Sequence, residues 1–332
     1  MYSLKQIDAI STHRDAIYGI SIILIILYHC SCGGDNVFFI PFEKGFIGVD
    51  IFMMMSGFGL CHSYTKRSLK DFYLKRVLRI IPAYVLYNIF FVLVSTYYFN
   101  TPISFEDFFY NLTTLSFYGF GSWGIGNKCF DWFTAAILLL YMIFPILYRL
   151  ARKWGMFTFF FVSLFAMIYN HFFVVPWRID CLVSRVPIFF FGILLFIHRE
   201  KLSLVSLNKE SGIGRIGRIL LFLPAFIYVG YIYSTNFFLT AMITPFFLLI
   251  VCGLMSLLAG TFVYRCLSYL GKYSYELFLA NSWSQQWSVF VLQIFPLNII
   301  SVIFYHLVAQ HIFIIVTRSV RNLVKMPVKI TC

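Results

Sequence analysis

Charge is what this chain has least of. Only 12% of its 332 residues are Asp, Glu, Lys or Arg, and just 13 of them are acidic. A soluble domain of this length needs far more polar surface to face water. No polar stretch exceeds about 35 residues, so no appended soluble domain is expected and residues 1–332 read as one membrane domain. The eight cysteines never fall at a metal spacing. Cys30-Ser-Cys32 stands without a second cysteine–histidine pair, which excludes a zinc finger or ribbon, and no metal is expected. Cys129 and Cys181 both lie in segments assigned to the outside, where a disulfide between them is open. No small-residue cleavage site followed by a soluble domain succeeds the first apolar run, so it reads as a retained helix rather than a signal peptide. No internal repeat is visible.

Apolar residues are what is there. They make up 61% of the chain, with 41 Phe and 22 Tyr, and the mean hydropathy is +0.84. That balance predicts an all-α, polytopic membrane bundle with interfacial aromatic anchors. About 20 apolar residues cross a hydrocarbon core of roughly 30 Å. On that criterion about ten spans are expected, near 15–34, 45–63, 79–98, 132–150, 156–174, 186–198, 217–234, 238–259, 273–291 and 297–316. A tight YSTN turn separates the seventh from the eighth.

The formal net charge of +13 does not call for a nucleic-acid partner, because basic residues hold cytoplasmic loops inside. With the N-terminus placed in the cytoplasm, all of the 26 Lys and Arg fall in inner segments except Lys44, Lys128, Arg178 and Arg185. That asymmetry puts both termini in the cytoplasm.

The first span carries a polar stripe. His29 follows Tyr18 by eleven residues, a net rotation of about 20° on a helix, and Arg14 and Asp15 lie within roughly 60° of it. Such a stripe faces a protein interior or a watery cavity rather than lipid. His29 sits roughly 21 Å into the core and Asp50, on the returning span, about 7 Å below its outer edge. The two are expected at similar depth, where the carboxylate would fix the imidazole's tautomer and raise its basicity.

Several segments read in order point further. RDAIYGISIILIILYH (14–29), GFIGVDIFMMMSGFGL (45–60) and DFYLKRVLRIIPAY (71–84) are followed by WFTAAILLLYMIFPILY (132–148), RVPIFFFGILL (185–195) and YLGKYSYELFLAN (269–281). Together they resemble acyltransferase family 3, the integral membrane O-acyltransferases of surface polysaccharides and related glycans. The resemblance runs over nearly the whole chain. It implies transfer of an acyl group from cytoplasmic acyl-coenzyme A, acetyl-coenzyme A first, to a hydroxyl of a surface or lipid-linked glycan at a bacterial plasma membrane. His29 matches the family's essential histidine. Arg76 and Arg79 match its paired arginines, and Gly48-Val49-Asp50 with Ser56-Gly57-Phe58 match its second-helix signature. The chain departs from the family pattern at three places. Tyr18 stands where many members carry arginine, with Arg14 one turn earlier. No carboxylate follows Trp132. Asn281 stands where the late segment often ends in histidine.

The chemistry needs a base, oxyanion stabilisation and grip on the donor. His29 supplies the base, with Arg14, Tyr18 and Asp50 as its catalytic companions. The imidazole titrates near neutrality, and a cavity that excludes water would protect a thioester. Lys75, Arg76 and Arg79 are the candidates for coenzyme A phosphates, since guanidinium forks clasp phosphate oxygens. Lys66, Arg67 and Lys70 read as inside anchors only. Gly57 and Gly59 permit close helix approach. Trp132, Tyr141, Arg185, Glu276 and Asn281 are weaker pocket candidates: Arg185 either meets a glycan or snorkels to the interface, and Glu276 and Asn281 face the bundle. Two rivals stay open. A transporter or flippase would predict paired half-repeats with broken helices, and a non-catalytic relative would serve polymer assembly.

Overall fold

The computed structural model describes residues 10–31, 44–97, 100–121, 131–173, 177–204, 237–281, 311, 313–320 and 322. Among these residues every regular element is helical. In chain order they are α1 (Arg14–Ser31), α2 (Ile47–Thr65), α3 (Leu69–Tyr97), α4 (Phe105–Leu112), a 3₁₀ turn (Leu115–Tyr118), α5 (Trp132–Trp154), α6 (Met156–Phe172), α7 (Trp177–Val183), α8 (Val186–Leu204), α9 (Phe237–Leu258) and α10 (Phe262–Lys272). Two further helical segments follow, α11 (274–281) and α12 (313–320). Among the described residues three stretches are long and apolar enough to cross a bilayer: Leu69–Tyr97, Trp132–Trp154 and Arg178–Arg199. The expected seventh span and most of the ninth and tenth lie outside the described residues.

The chain forms two compact units, each discontinuous in sequence: residues 1–66 with 142–274, and residues 67–141 with 275–332. In the first unit, α2 is buried along nearly its whole length, from Ile47 to Cys61. A helix with no polar face has to be wrapped by others. Here α1, α8 and α9 pack on it, and α10 packs on α1. These crossings rest on missing side chains. A Cβ on Gly57 would strike the carbonyl oxygen of Phe189, and one on Gly192 would strike that of Met54, so α2 and α8 meet backbone to backbone. Gly19 and Gly271 play the same reciprocal part between α1 and α10, against Leu267 and Asp15. Small residues are how membrane helices gain contact where no hydrophobic force joins them. Gly59, expected to do likewise, faces open space.

Helix α10 was expected to be an inner loop, because it is short and carries Arg265 and Lys272. It forms because Thr261 caps it, accepting from the Tyr264 backbone N–H at 3.2 Å. One stripe, Leu267 and Gly271, is buried. His13 ties the surroundings together: its Nδ1 hydrogen-bonds the Tyr264 hydroxyl at 2.9 Å and its Nε2 the Ser256 hydroxyl at 3.2 Å.

The second unit packs through tyrosines. Ala83, Tyr84, Tyr87 and Phe91 of α3 form its core with Leu279 and Phe313. Helix α3 starts at a reciprocal box, in which Ser68 Oγ accepts from Asp71 N at 3.2 Å and donates to its carboxylate at 2.7 Å. It begins ten residues before the expected span, so Lys75, Arg76 and Arg79 lie on helix. The segment near 99–131, expected to be an outer loop, is also partly helical. Ser104 and Asp107 make a second such box for α4, and the Tyr84 hydroxyl donates to the Asn111 carbonyl at 2.7 Å.

Candidate active site

In the first unit, the polar stripe of α1 is only partly turned inward: Arg14 is exposed, Asp15 half-buried and Tyr18 buried. Tyr18 is buried and stacks on Phe52, with ring centroids 5.0 Å apart. The Arg14 guanidinium lies over the Tyr18 ring, 5.3 Å from its centroid, at a distance where a cation is drawn to the aromatic face. Arg14 and Tyr18 therefore lie together, one helical turn apart. His29, half-buried near the far end of α1, has its ring 5.2 Å from that of Tyr28, which in turn meets Phe46.

Asp50 corrects the expectation that it would serve His29. Its Oδ1 accepts from Arg185 Nε at 2.7 Å, and both side chains are almost wholly excluded from solvent, at 0% and 1%. Arg185 Nη1 also donates to the Cys181 carbonyl at 3.1 Å. Arg185 thus neither snorkels nor lies at a surface. It is pulled inward because a buried carboxylate demands a cation. The other oxygen, Asp50 Oδ2, is buried with no hydrogen-bond partner. No hydrogen bond joins Asp50 to His29. Cys181 is a free, buried thiol, so the disulfide does not form; Cys129 lies outside the described residues.

In the second unit, Arg76 and Tyr141, treated separately in the sequence, come together. The Arg76 guanidinium faces the Phe72 ring at 5.6 Å and the Tyr141 ring at 5.9 Å. At these distances a guanidinium is drawn to aromatic faces. Arg79 is half-buried and Lys75 exposed. Lys75, Arg76 and Arg79 thus place three basic side chains along α3.

Sequence reasoning missed a carboxylate one residue before the tryptophan. Asp131 caps α5, accepting from Phe133 N at 2.9 Å and Thr134 N at 3.1 Å, and it also accepts from the Thr134 hydroxyl. The Thr134 hydroxyl in turn meets the Tyr275 hydroxyl at 2.8 Å. Burial pushes the Asp131 carboxyl up to about 6, against the opposing pull of these hydrogen bonds. An Asp two and three residues ahead of the first helical N–H groups is a capping signal that was legible. Trp132 is half-buried, edge-on to Phe133 at 6.0 Å, and Phe133 packs on Phe278 at 4.8 Å. On α11, Glu276 and Asn281 are buried, at 2% and 1% exposure. Among the described residues no group of three or more His, Cys, Asp or Glu could hold a metal.

The acyltransferase domain of acyltransferase family 3 matches residues 15–318. No curated protein and no solved structure matches the chain.

Proposed function

The chain belongs to acyltransferase family 3, and from that premise we propose that it moves an acyl group, acetyl before succinyl, from cytoplasmic acyl-coenzyme A to a hydroxyl of a surface or lipid-linked glycan. The observation that carries this reading is the family match over 15–318, a span that contains His29 and the Arg76–Arg79 pair.

In this reading His29 takes the proton from the acceptor hydroxyl as its oxygen attacks the thioester carbonyl. The C–S bond breaks, the new C–O ester remains on the glycan, and the imidazolium returns the proton to the departing thiolate. Arg76, held between Phe72 and Tyr141, clasps a donor phosphate through its in-plane N–H groups, with Arg79 and Lys75 adding charge. Arg14 and Tyr18 shape the approach at the other end of α1. The Asp50–Arg185 pair acts as a positioning element, since it binds α2 to the start of α8.

The test is mass spectrometry of surface glycan from a bacterial host lacking the chain, complemented with the parent or with His29→Gln. The parent restores the acyl mass increment and the variant does not, while polymer reaches the surface in both. Full acylation with His29→Gln removes the imidazole from the mechanism. Lost export with acylation intact assigns the chain to transport instead.

A further inference from the structure

The first unit has an open, surface cavity of about 470 Å³ at the end of α5, lined by Tyr64, Tyr148, Arg149, Arg152 and Lys153. The proposed acyl-transfer site uses none of these residues. Tyr64 comes from the last turn of α2, and its ring packs on Tyr148 with centroids 5.2 Å apart. Three cations thus converge beside two phenols. Among the described residues none of the three has a carboxylate within ion-pairing distance, since the one ion pair there is Asp50–Arg185. The lining contains no acidic side chain. The cavity is therefore built for an anion.

The same helix indicates which anion. Met142, Ile146, Leu150 and Trp154 repeat every four residues along α5 and are 60%, 58%, 37% and 51% exposed. At about 100° per residue this apolar seam adjoins the arc that carries Arg149, Arg152 and Lys153. Met142 and Ile146 lie within about 60° of Arg149 and Lys153 on one stripe, while Leu150 and Trp154 turn onto the neighbouring arc, and the Lys153 ammonium is 5.2 Å from the Trp154 indole centroid. A soluble phosphate has no use for a greasy strip of about 10 Å leading into its site. A two-tailed lipid does: its chains lie along the seam while its headgroup enters among the cations. Basic pockets at the cytoplasmic ends of membrane helices hold anionic headgroups for this reason.

We infer that the α2–α5 end of the first unit is a binding site for one anionic phospholipid, with the phosphate held by Arg149, Arg152 and Lys153 and the acyl chains lying on the Met142–Trp154 seam. This inference is independent of the acyl-transfer reading.

The full-length chain would be placed in nanodiscs of equal phosphatidylglycerol and phosphatidylcholine, and the retained lipids counted by native mass spectrometry. Parent protein should enrich phosphatidylglycerol. Arg149→Gln and Arg152→Gln should each lower that enrichment about fivefold, and the triple glutamine variant that includes Lys153 should abolish it. The side chains are exposed, and the single variants serve if the triple one fails to fold. Equal retention of both lipids by the parent overturns the assignment, as does enrichment unchanged in the single variants. Coenzyme A, added without an acyl group, should leave the bound lipid in place. Its displacement by coenzyme A would make this a soluble-phosphate site and would overturn the lipid assignment.

Discussion

The two units solve the same problem, holding apolar helices together, by opposite means. In the first, helices meet through bare backbone at Gly19, Gly57, Gly192 and Gly271, and one desolvated ion pair, Asp50–Arg185, sits among them. In the second, side chains with hydroxyls do the joining: Tyr84 to the Asn111 carbonyl, and Tyr275 through Thr134 to Asp131. The first arrangement is all contact and no slack. The second is a set of small, separable bonds. Their tolerance to change should differ accordingly.

The largest effect is expected at the glycine crossings. Gly192→Val or Gly271→Val puts a side chain where a carbonyl oxygen already stands, and neither protein should be recovered folded, as judged by size-exclusion profile and protease resistance. Gly59 is the internal control. Its surroundings are open, so Gly59→Ala should gain up to about 1 kcal/mol from helix propensity. A tolerated Gly192→Val would erase the distinction between the units.

Next in size is the ion pair. Arg185→Met leaves Asp50 buried without its cation and should cost about 3–5 kcal/mol in chemical unfolding. Asp50→Leu combined with Arg185→Met should recover most of that loss, because two apolar groups need no partner. If the double variant is as unstable as the single one, the pair has a role beyond compensating charge.

A smaller, pH-dependent effect belongs to Asp131. Its folded pKa, raised to about 6, lies above its unfolded value near 4. The folded state therefore holds the proton more tightly. The stability linked to this group is full below about pH 4 and is lost as pH rises through about 6. Relative to Asp131→Asn, the parent should lose stability between those limits, measured by thermal unfolding at fixed ionic strength. A flat difference would mean that the capping N–H groups balance burial, and a stability that rises with pH that they outweigh it. Smallest are the hydroxyls: Tyr84→Phe and Tyr275→Phe should each cost about 1 kcal/mol, and their double variant tests whether the bonds are as separable as they look.

Sequence reading reached the helices whose signal is local. The cores of α1, α2, α5, α6 and α9 fall within a few residues of the expected spans, because long apolar runs have few alternatives. Arg14 meeting Tyr18 was also legible, being a matter of one helical turn. What failed was long-range. Asp50 and Arg185 lie 135 residues apart, and depth alone suggested His29 as the carboxylate's neighbour. A helix axis fixes height but not which face turns to which neighbour. Arg76 and Tyr141 are likewise separated by a loop and a second helix. Helix α10 was hidden by its charges, although Thr261 followed by apolar residues at three- and four-residue intervals is a start signal.

The glycine seams also shape how this chain can drift. Spacing at the α2–α8 and α1–α10 crossings is set by atoms common to every residue, so the outward Phe, Ile and Met side chains carry no part of it. Phe157, Phe160, Phe161 and Phe165 on α6, all more than half exposed, can be traded for other greasy groups to suit a thicker or thinner bilayer while the interior geometry stays put. One helix thereby holds a freely variable outside and a nearly invariant inside, and adaptation to a new membrane need not disturb the chemistry within.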